Sequence, residues 1–246
     1  MSEDFYKTFS KYYDPVLSAD YDRSVDTLDK IFKKFGDVKT VLDIGCGTLQ
    51  HALRLKKLGY EIEGCDASDS MLKIAKRNKI SVFKADITKG INSGKKYDAI
   101  ICLGSVIQHI LDKDDVLLGL RNINIVLKPD GLFILGLSNL TARIRKPHFW
   151  VEGTYKTDEG RLMVMTWNEP DFKNMIYKST WLYILKGKKK DVDFESLSLR
   201  MYTRSEIKSL VRKAGFKILK TYGNLATKEK YKKYSSSGIV LVCKKI

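Results

Sequence analysis

Thr40-Val41-Leu42-Asp43-Ile44-Gly45-Cys46-Gly47-Thr48 organises the rest of the chain, because it reads as a buried strand that breaks into a glycine turn and opens a helix. Val41, Leu42 and Ile44 form the short apolar run of a parallel strand covered on both faces. Gly45 and Gly47 allow a sharp turn and a close approach of backbone to a ligand. Asp43 then lies buried at the strand end, where a carboxylate needs a partner such as a ligand's amide or cationic group. Beyond the turn, Ala52, Leu53, Leu55 and Leu58 share one helical face, Gly59 closes that helix, and residues 60–65 read as a second strand ending at Asp66. Taken alone, Asp-x-Gly-x-Gly fits an ordinary strand-to-helix turn as well as it fits a ligand site.

The second acidic residue adds weight. A carboxylate about 20 positions beyond the glycines is where nucleoside-binding sheets hold a ribose, in dinucleotide and S-adenosylmethionine (SAM) enzymes alike. The dinucleotide fingerprint wants Gly-x-Gly-x-x-Gly, but here Gln50 stands at the third glycine position. Val41-Leu42-Asp43-Ile44-Gly45-Cys46-Gly47-Thr48 resembles the first motif of the class I SAM-dependent methyltransferases. Gly64-Cys65-Asp66-Ala67-Ser68-Asp69-Ser70-Met71-Leu72 resembles their second. The family usually has another glycine where this chain carries Leu49.

The resemblance implies an α/β fold: a Rossmann-like, seven-stranded, mostly parallel sheet with helices on both faces. It implies SAM as methyl donor and S-adenosyl-L-homocysteine as product. Donor contacts would come from Asp43, Gly45, Cys46 and Gly47, with Asp66 on the ribose and Ala67 and Met71 flanking the adenine. After a third strand, Ala85-Asp86-Ile87 resembles the motif whose Asp accepts from the adenine amino group. A fourth strand, residues 97–102, empties through Cys102, Leu103 and Gly104 towards His109, at the carboxyl end of the sheet where open α/β folds bind ligands. Those three residues join the donor-site candidates. The Asn/Asp-Pro-Pro-aromatic motif of base-amine methylating enzymes is missing here. The small-residue turn followed by a His resembles sugar-amine and glycine-type N-methyltransferases instead. His109 could exchange a proton with the acceptor or satisfy a buried carbonyl. His51 reads as a packed structural residue.

The segment before the sheet, residues 1–36, holds the aromatic cluster Phe5-Tyr6-Lys7-Thr8-Phe9-Ser10-Lys11-Tyr12-Tyr13 and a helix-like stretch with Leu28, Ile31, Phe32 and Phe35 on one face. The cluster either packs that helix onto the domain or forms a lid whose aromatic faces meet a sulfonium. Tyr13 and Tyr21 resemble the tyrosines that touch SAM or substrate in small-molecule methyltransferases, which makes Tyr13 a catalytic candidate alongside His109. After Asn139 the pattern changes to partial alternation over residues 161–167, 175–185 and 192–202, predicting antiparallel strands. Trp150, Tyr155, Trp167, Trp181 and Tyr183 make this insert an acceptor cover or a dimer face. Thr203 and Glu206 read as a capping box opening the last helix, and residues 216–222 and 238–244 as a closing antiparallel pair. The resulting divisions are a helical lid at 1–36, a SAM-binding domain at 37–138 and 201–246, and the insert at 139–200.

The chain's 246 residues suffice for one domain with an insertion. It lacks an apolar run of membrane-span length and opens with acidic residues, so a cytoplasmic protein without membrane contact is expected. Cys46, Cys65, Cys102 and Cys243 are too scattered for a metal site or disulfide framework. Forty-five Lys and Arg against 29 Asp and Glu give a net charge of +16, which attracts polyanions. Three functions follow: methyl transfer to a small molecule, most naturally at nitrogen; methyl transfer to RNA; or a SAM-binding protein without catalysis. A homodimer is compatible with each.

Overall fold

The computed structural model describes residues 5–17, 20–143, 149–187 and 190–246. The chain opens with helices α1 (Phe5–Val16) and α2 (Tyr21–Phe35). It then alternates β1 (Thr40–Ile44), α3 (Gln50–Lys57), β2 (Glu61–Asp66), α4 (Asp69–Ala75), β3 (Ser81–Lys84), β4 (Tyr97–Cys102), α5 (Lys113–Ile125) and β5 (Leu127–Ser138). A short helix, α6 (Leu140–Arg143), leads to β6 (Phe149–Thr157), β7 (Gly160–Asp171), β8 (Ile176–Gly187) and β9 (Lys190–Arg200). Helix α7 (Arg204–Lys213) and strands β10 (Phe216–Tyr222) and β11 (Gly238–Lys245) complete the fold.

The main sheet has seven strands in the order β10-β11-β5-β4-β1-β2-β3. Strands β1 to β5 run parallel, while β11 is antiparallel to both β5 and β10. Central β1 explains its own composition. Val41 packs in the layer that holds Leu28, Ala52 and Leu55, whereas Leu42 and Ile44 pack in the layer that holds Val116, Leu120 and Val211. Chain progression reverses between β1 and β4, which opens a crevice at their carboxyl ends.

Strands β6 to β9 form a separate antiparallel sheet in sequential order. The alternation in sequence signals only three of these strands; β7 runs well beyond the expected 161–167, while β9 begins and ends two residues earlier than expected. Helix α1 lies against the sheet's inner face, with Phe9, Tyr12 and Val16 among Leu162, Val164, Tyr183 and Leu185. Glu195 fixes the start of α1, its two carboxylate oxygens accepting from the amides of Thr8 at 2.7 Å and Phe9 at 2.9 Å. At the other end of α1, Asp14 accepts from the Thr48 hydroxyl at 2.6 Å and the Gln50 amide at 3.0 Å. One helix thus bridges the insert and the glycine turn. Met1 to Asp4, part of the lysine run after Lys186, and the side chains of Phe5 and Trp150 lie outside the described residues.

Between β4 and α5 a single 3-10 turn spans Val106–His109. Its Gln108 is fully buried: Oε1 accepts from the Ser138 amide at 2.8 Å, and Nε2 donates to the carbonyls of Ser138 at 3.2 Å and Arg200 at 3.1 Å. Thr203 caps α7 by accepting from the Glu206 amide at 3.2 Å. Glu206 does not complete the box; its carboxylate pairs with Lys113 at 2.6 Å instead, a stronger partner than a neutral amide. Leu58, expected on the buried face of α3, is 51% exposed because the helix already ends at Lys57.

Candidate active site

At the end of β1, the amides of Gly45 and Cys46 both donate to the carbonyl of Cys65, at 2.8 and 3.0 Å, which folds the turn back against β2. Gly45 has φ of +67° and Gly47 of +51°, a region that side chains disfavour. A Cβ on Gly45 would come within 2.2 Å of Val106 Cγ2. Leu49 is also left-handed, with φ of +69°, and its side chain is fully buried. A Cβ on Gly64 would lie 3.0 Å from Leu49 Cδ2 and 2.9 Å from Cys46 Sγ. The glycine of β2 therefore makes room for the leucine, and burial of that side chain holds the unusual backbone.

The two strand-end aspartates differ in environment. Asp66 Oδ2 accepts from the Gly47 amide at 3.0 Å and Oδ1 from the Ser68 amide at 2.9 Å. Asp43 is 4% exposed, and none of the described residues donates to its carboxyl. Burial first, and the neighbouring Asp66 second, push Asp43 up to about 8. Burial also raises Asp66, against the downward pull of its backbone amides. At neutral pH the protein on its own keeps a proton on Asp43. For Asp86, burial would raise the carboxyl, but the hydroxyl and amide of Thr88 and the charge of Lys89 outweigh it and hold the group below its ordinary value.

A cavity of about 700 Å3 opens at the reversal of strand order. It runs from the glycine turn to the insert, and its wall combines Tyr13, Tyr21, Asp43, Gly45, Cys46, Leu103, Gly104 and His109 from the sequence-derived candidates. Gly47, Asp66, Ala67, Met71, Asp86, Ile87 and Cys102 are outside that wall. Gly47 is near Tyr13, since a Cβ there would stand 3.9 Å from the Tyr13 ring and hydroxyl. Burial raises the Tyr13 phenol well above its ordinary value, with Tyr6, Tyr21 and Asp66 adding to the effect. His51, set aside as structural, also faces the cavity, edge-on to Tyr21 with ring centroids 5.0 Å apart.

The partner of His109 is a phenol, not a buried carbonyl: the Tyr6 hydroxyl is 3.1 Å from His109 Nε2. Burial pulls His109 down to about 4, so the ring is uncharged at neutral pH. Tyr6, Phe9, Glu152, Trp181, Leu197 and Leu199 also line the cavity from α1 and the insert. Tyr6 was visible only as one of several aromatics, and Glu152 carried no sequence signal.

A buried parallel strand, a glycine turn, an acidic end on the next strand and a cavity at the topological reversal are the features of a nucleoside-binding α/β protein. Residues 41–131 match the family described as methyltransferase domain. That stretch is what this chain shares with methyltransferases at the level of sequence. A protein of Geobacillus sp. (strain WCH70) named as a methyltransferase is 29% identical over 162 residues, which is 62% of this chain and 60% of that protein. Glycine N-methyltransferase of Rattus norvegicus is 32% identical over 117 residues, 40% of each chain. The chain thus spans less than two thirds of either relative. Among solved structures, a SAM-bound amino pentose methyltransferase from Micromonospora echinaspora superposes with a TM-score of 0.77 at 18% identity, over 98% of this chain and 97% of that one.

Proposed function

We propose that this protein transfers a methyl group from SAM to the nitrogen of a small-molecule acceptor. The observation that carries the reading is the cavity that joins the donor turn to an aromatic wall supplied by α1 and the insert. Its volume suits the methionine end of the donor together with a compact acceptor. The acceptor's nitrogen lone pair forms the N–C bond as the C–S bond breaks, and the electron pair leaves on a neutral thioether. Alignment in such a site contributes roughly 7 to 11 kcal/mol. No protein nucleophile is required. His109 and Tyr6, uncharged and hydrogen-bonded, orient the acceptor; the amine attacks in its neutral form, towards which the nearby sulfonium shifts it, and the methylated ammonium releases its proton afterwards. Similarity to glycine N-methyltransferase supports nitrogen over oxygen.

The test is calorimetric binding of SAM followed by methyl transfer from labelled SAM to a panel of amines, with Tyr13→Phe and His109→Ala variants. Transfer that the variants lose without losing SAM binding supports the assignment; unchanged turnover removes both residues from it. The net charge of +16 favours RNA as a second acceptor class. That reading requires RNA binding that falls with salt by about 0.7 to 0.9 log units per neutralised phosphate. A homodimer belongs to the same proposal. Val151, Met165, Leu182 and Phe194 form a register-aligned apolar row across the outer face of the insert, with Val151 53% and Phe194 67% exposed.

A further inference from the structure

The cavity has the opposite charge character to the protein. In a chain of net +16, no lysine or arginine lines it among the described residues, while Asp20, Asp43 and Glu152 do. Two of these carboxylates have other roles. Asp20 caps α2 and pairs with Arg23 at 3.3 Å, and Asp43 belongs to the donor turn. Glu152 remains, and its position is a built feature. In β6, Val151 pairs with Met165 and Gly153 with Val164, so Glu152 is the extra residue of a β-bulge. Bulges re-aim a side chain and are common beside active sites.

Here the bulge places a carboxylate on the inner face of the insert without a direct cross-strand partner, and its Oε1 accepts from the Thr166 hydroxyl at 3.3 Å. Thr166 itself is buried, which anchors that oxygen. No cationic side chain among the described residues pairs with Glu152. Around it the cavity wall is aromatic and apolar, through Tyr6, Phe9, Trp181, Leu197 and Leu199. A carboxylate in such surroundings finds its strongest partner in a charge-assisted hydrogen bond from a ligand ammonium.

We infer that the acceptor is a cationic amine with an apolar or ring-shaped body and that Glu152 receives its ammonium group. The inference rests on the methyltransferase reading above for the occupancy of the donor end. An anionic acceptor would meet acidic and no basic side chains among the described lining residues, and a neutral alcohol would leave the carboxylate without a counter-charge. Glu152 therefore sets specificity. The bound ammonium gives up one proton to solvent before its nitrogen lone pair attacks, and Glu152 meets a positive charge again as the methyl group arrives.

Cyclohexylamine and its neutral isostere cyclohexanol are the probes, titrated by calorimetry into the full chain saturated with S-adenosyl-L-homocysteine, which blocks turnover. The expected result is a preference for the ammonium of about tenfold or more, the scale of a charge-assisted hydrogen bond, and its disappearance in Glu152→Gln. A preference that survives in the Gln variant overturns the role of Glu152, and equal or absent binding of the two probes overturns the cationic acceptor. If S-adenosyl-L-homocysteine itself fails to bind, the donor reading fails instead. The same pair of probes is then compared on the protein alone, where the Glu152→Gln comparison decides in the same way. Glutamine preserves size and the contact with Thr166, and an unchanged unfolding midpoint in the variant excludes a folding defect as the cause of lost preference.

Discussion

Replacing Asp43 by asparagine removes a carboxyl that the protein on its own is obliged to keep protonated. Asp43 is pushed up to about 8 by its burial and by Asp66, against an ordinary aspartate value of about 3.9. Between those values the folded chain holds a proton that the unfolded chain has released. The unfolded state binds fewer protons there, so the parent protein loses stability as pH rises from about 4 to about 8 and loses no more above that. At pH 7 the interval of about three units corresponds to roughly 4 kcal/mol, an upper bound because water entering the cavity screens the charge. An asparagine side chain has nearly the same shape and does not titrate. Asp43→Asn is therefore expected to match the parent near pH 4 and to exceed its stability at pH 7, measured by urea unfolding at a series of pH values. Identical pH slopes for the two proteins, or a variant weaker than the parent at pH 7, would refute the reasoning. The same substitution weakens SAM binding, since the ligand's cationic groups lose an ionisable partner. Calorimetry in buffers of different ionisation enthalpy then shows proton release on SAM binding by the parent at pH 7 and none by the variant.

Gly45→Ala forces a left-handed alanine into a space 2.2 Å from Val106 Cγ2. The backbone alone costs about 1 to 2 kcal/mol, and the shift of Val106 abolishes SAM binding as read by calorimetry. Glu195→Gln weakens two charge-assisted bonds at 2.7 and 2.9 Å to the α1 amides. Amide exchange in α1 is expected to accelerate by tenfold or more while exchange in β1 and β4 stays unchanged, at about 1.5 kcal/mol or more for the loss. Phe194→Asp puts a charge at the most exposed end of the apolar outer row, so light scattering should report a dimer for the parent and a monomer for the variant. A monomeric parent removes the dimer from the proposal.

The donor end of this molecule was legible because its signals are local. A doubly buried strand must be apolar along Val41, Leu42 and Ile44, a turn with positive φ favours Gly45 and Gly47, and an acidic residue ending the next strand is a matter of counting. The seven-stranded, mostly parallel sheet came only through the family resemblance, since no periodicity reports which strands are neighbours. At the acceptor end the decisive facts are long-range. The Tyr6 hydroxyl meets a histidine 103 positions away. Glu152 lies at a bulge, where β6 carries one residue too many against β7, and a bulge interrupts the very alternation by which that strand could have been found. Glu206 shows a local rule yielding to a tertiary partner, since Lys113 offers it a full charge where the capping box offers a neutral amide.

The buried amide of Gln108 has a consequence for how such proteins diversify. Ser138 is the last residue before the chain leaves the parallel sheet domain for the insert and Arg200 the last before it returns, and both hydrogen-bond to that one side chain. The exit and the entry therefore lie within a single residue's reach, the arrangement that lets a module be exchanged without reopening its host. A different cassette with equally close ends could be spliced in while every pairing of the seven-stranded sheet survived. What such an exchange would disturb first is the residue next along the chain, His109, so a graft that restores the glutamine's three bonds keeps the donor machinery and acquires a new acceptor.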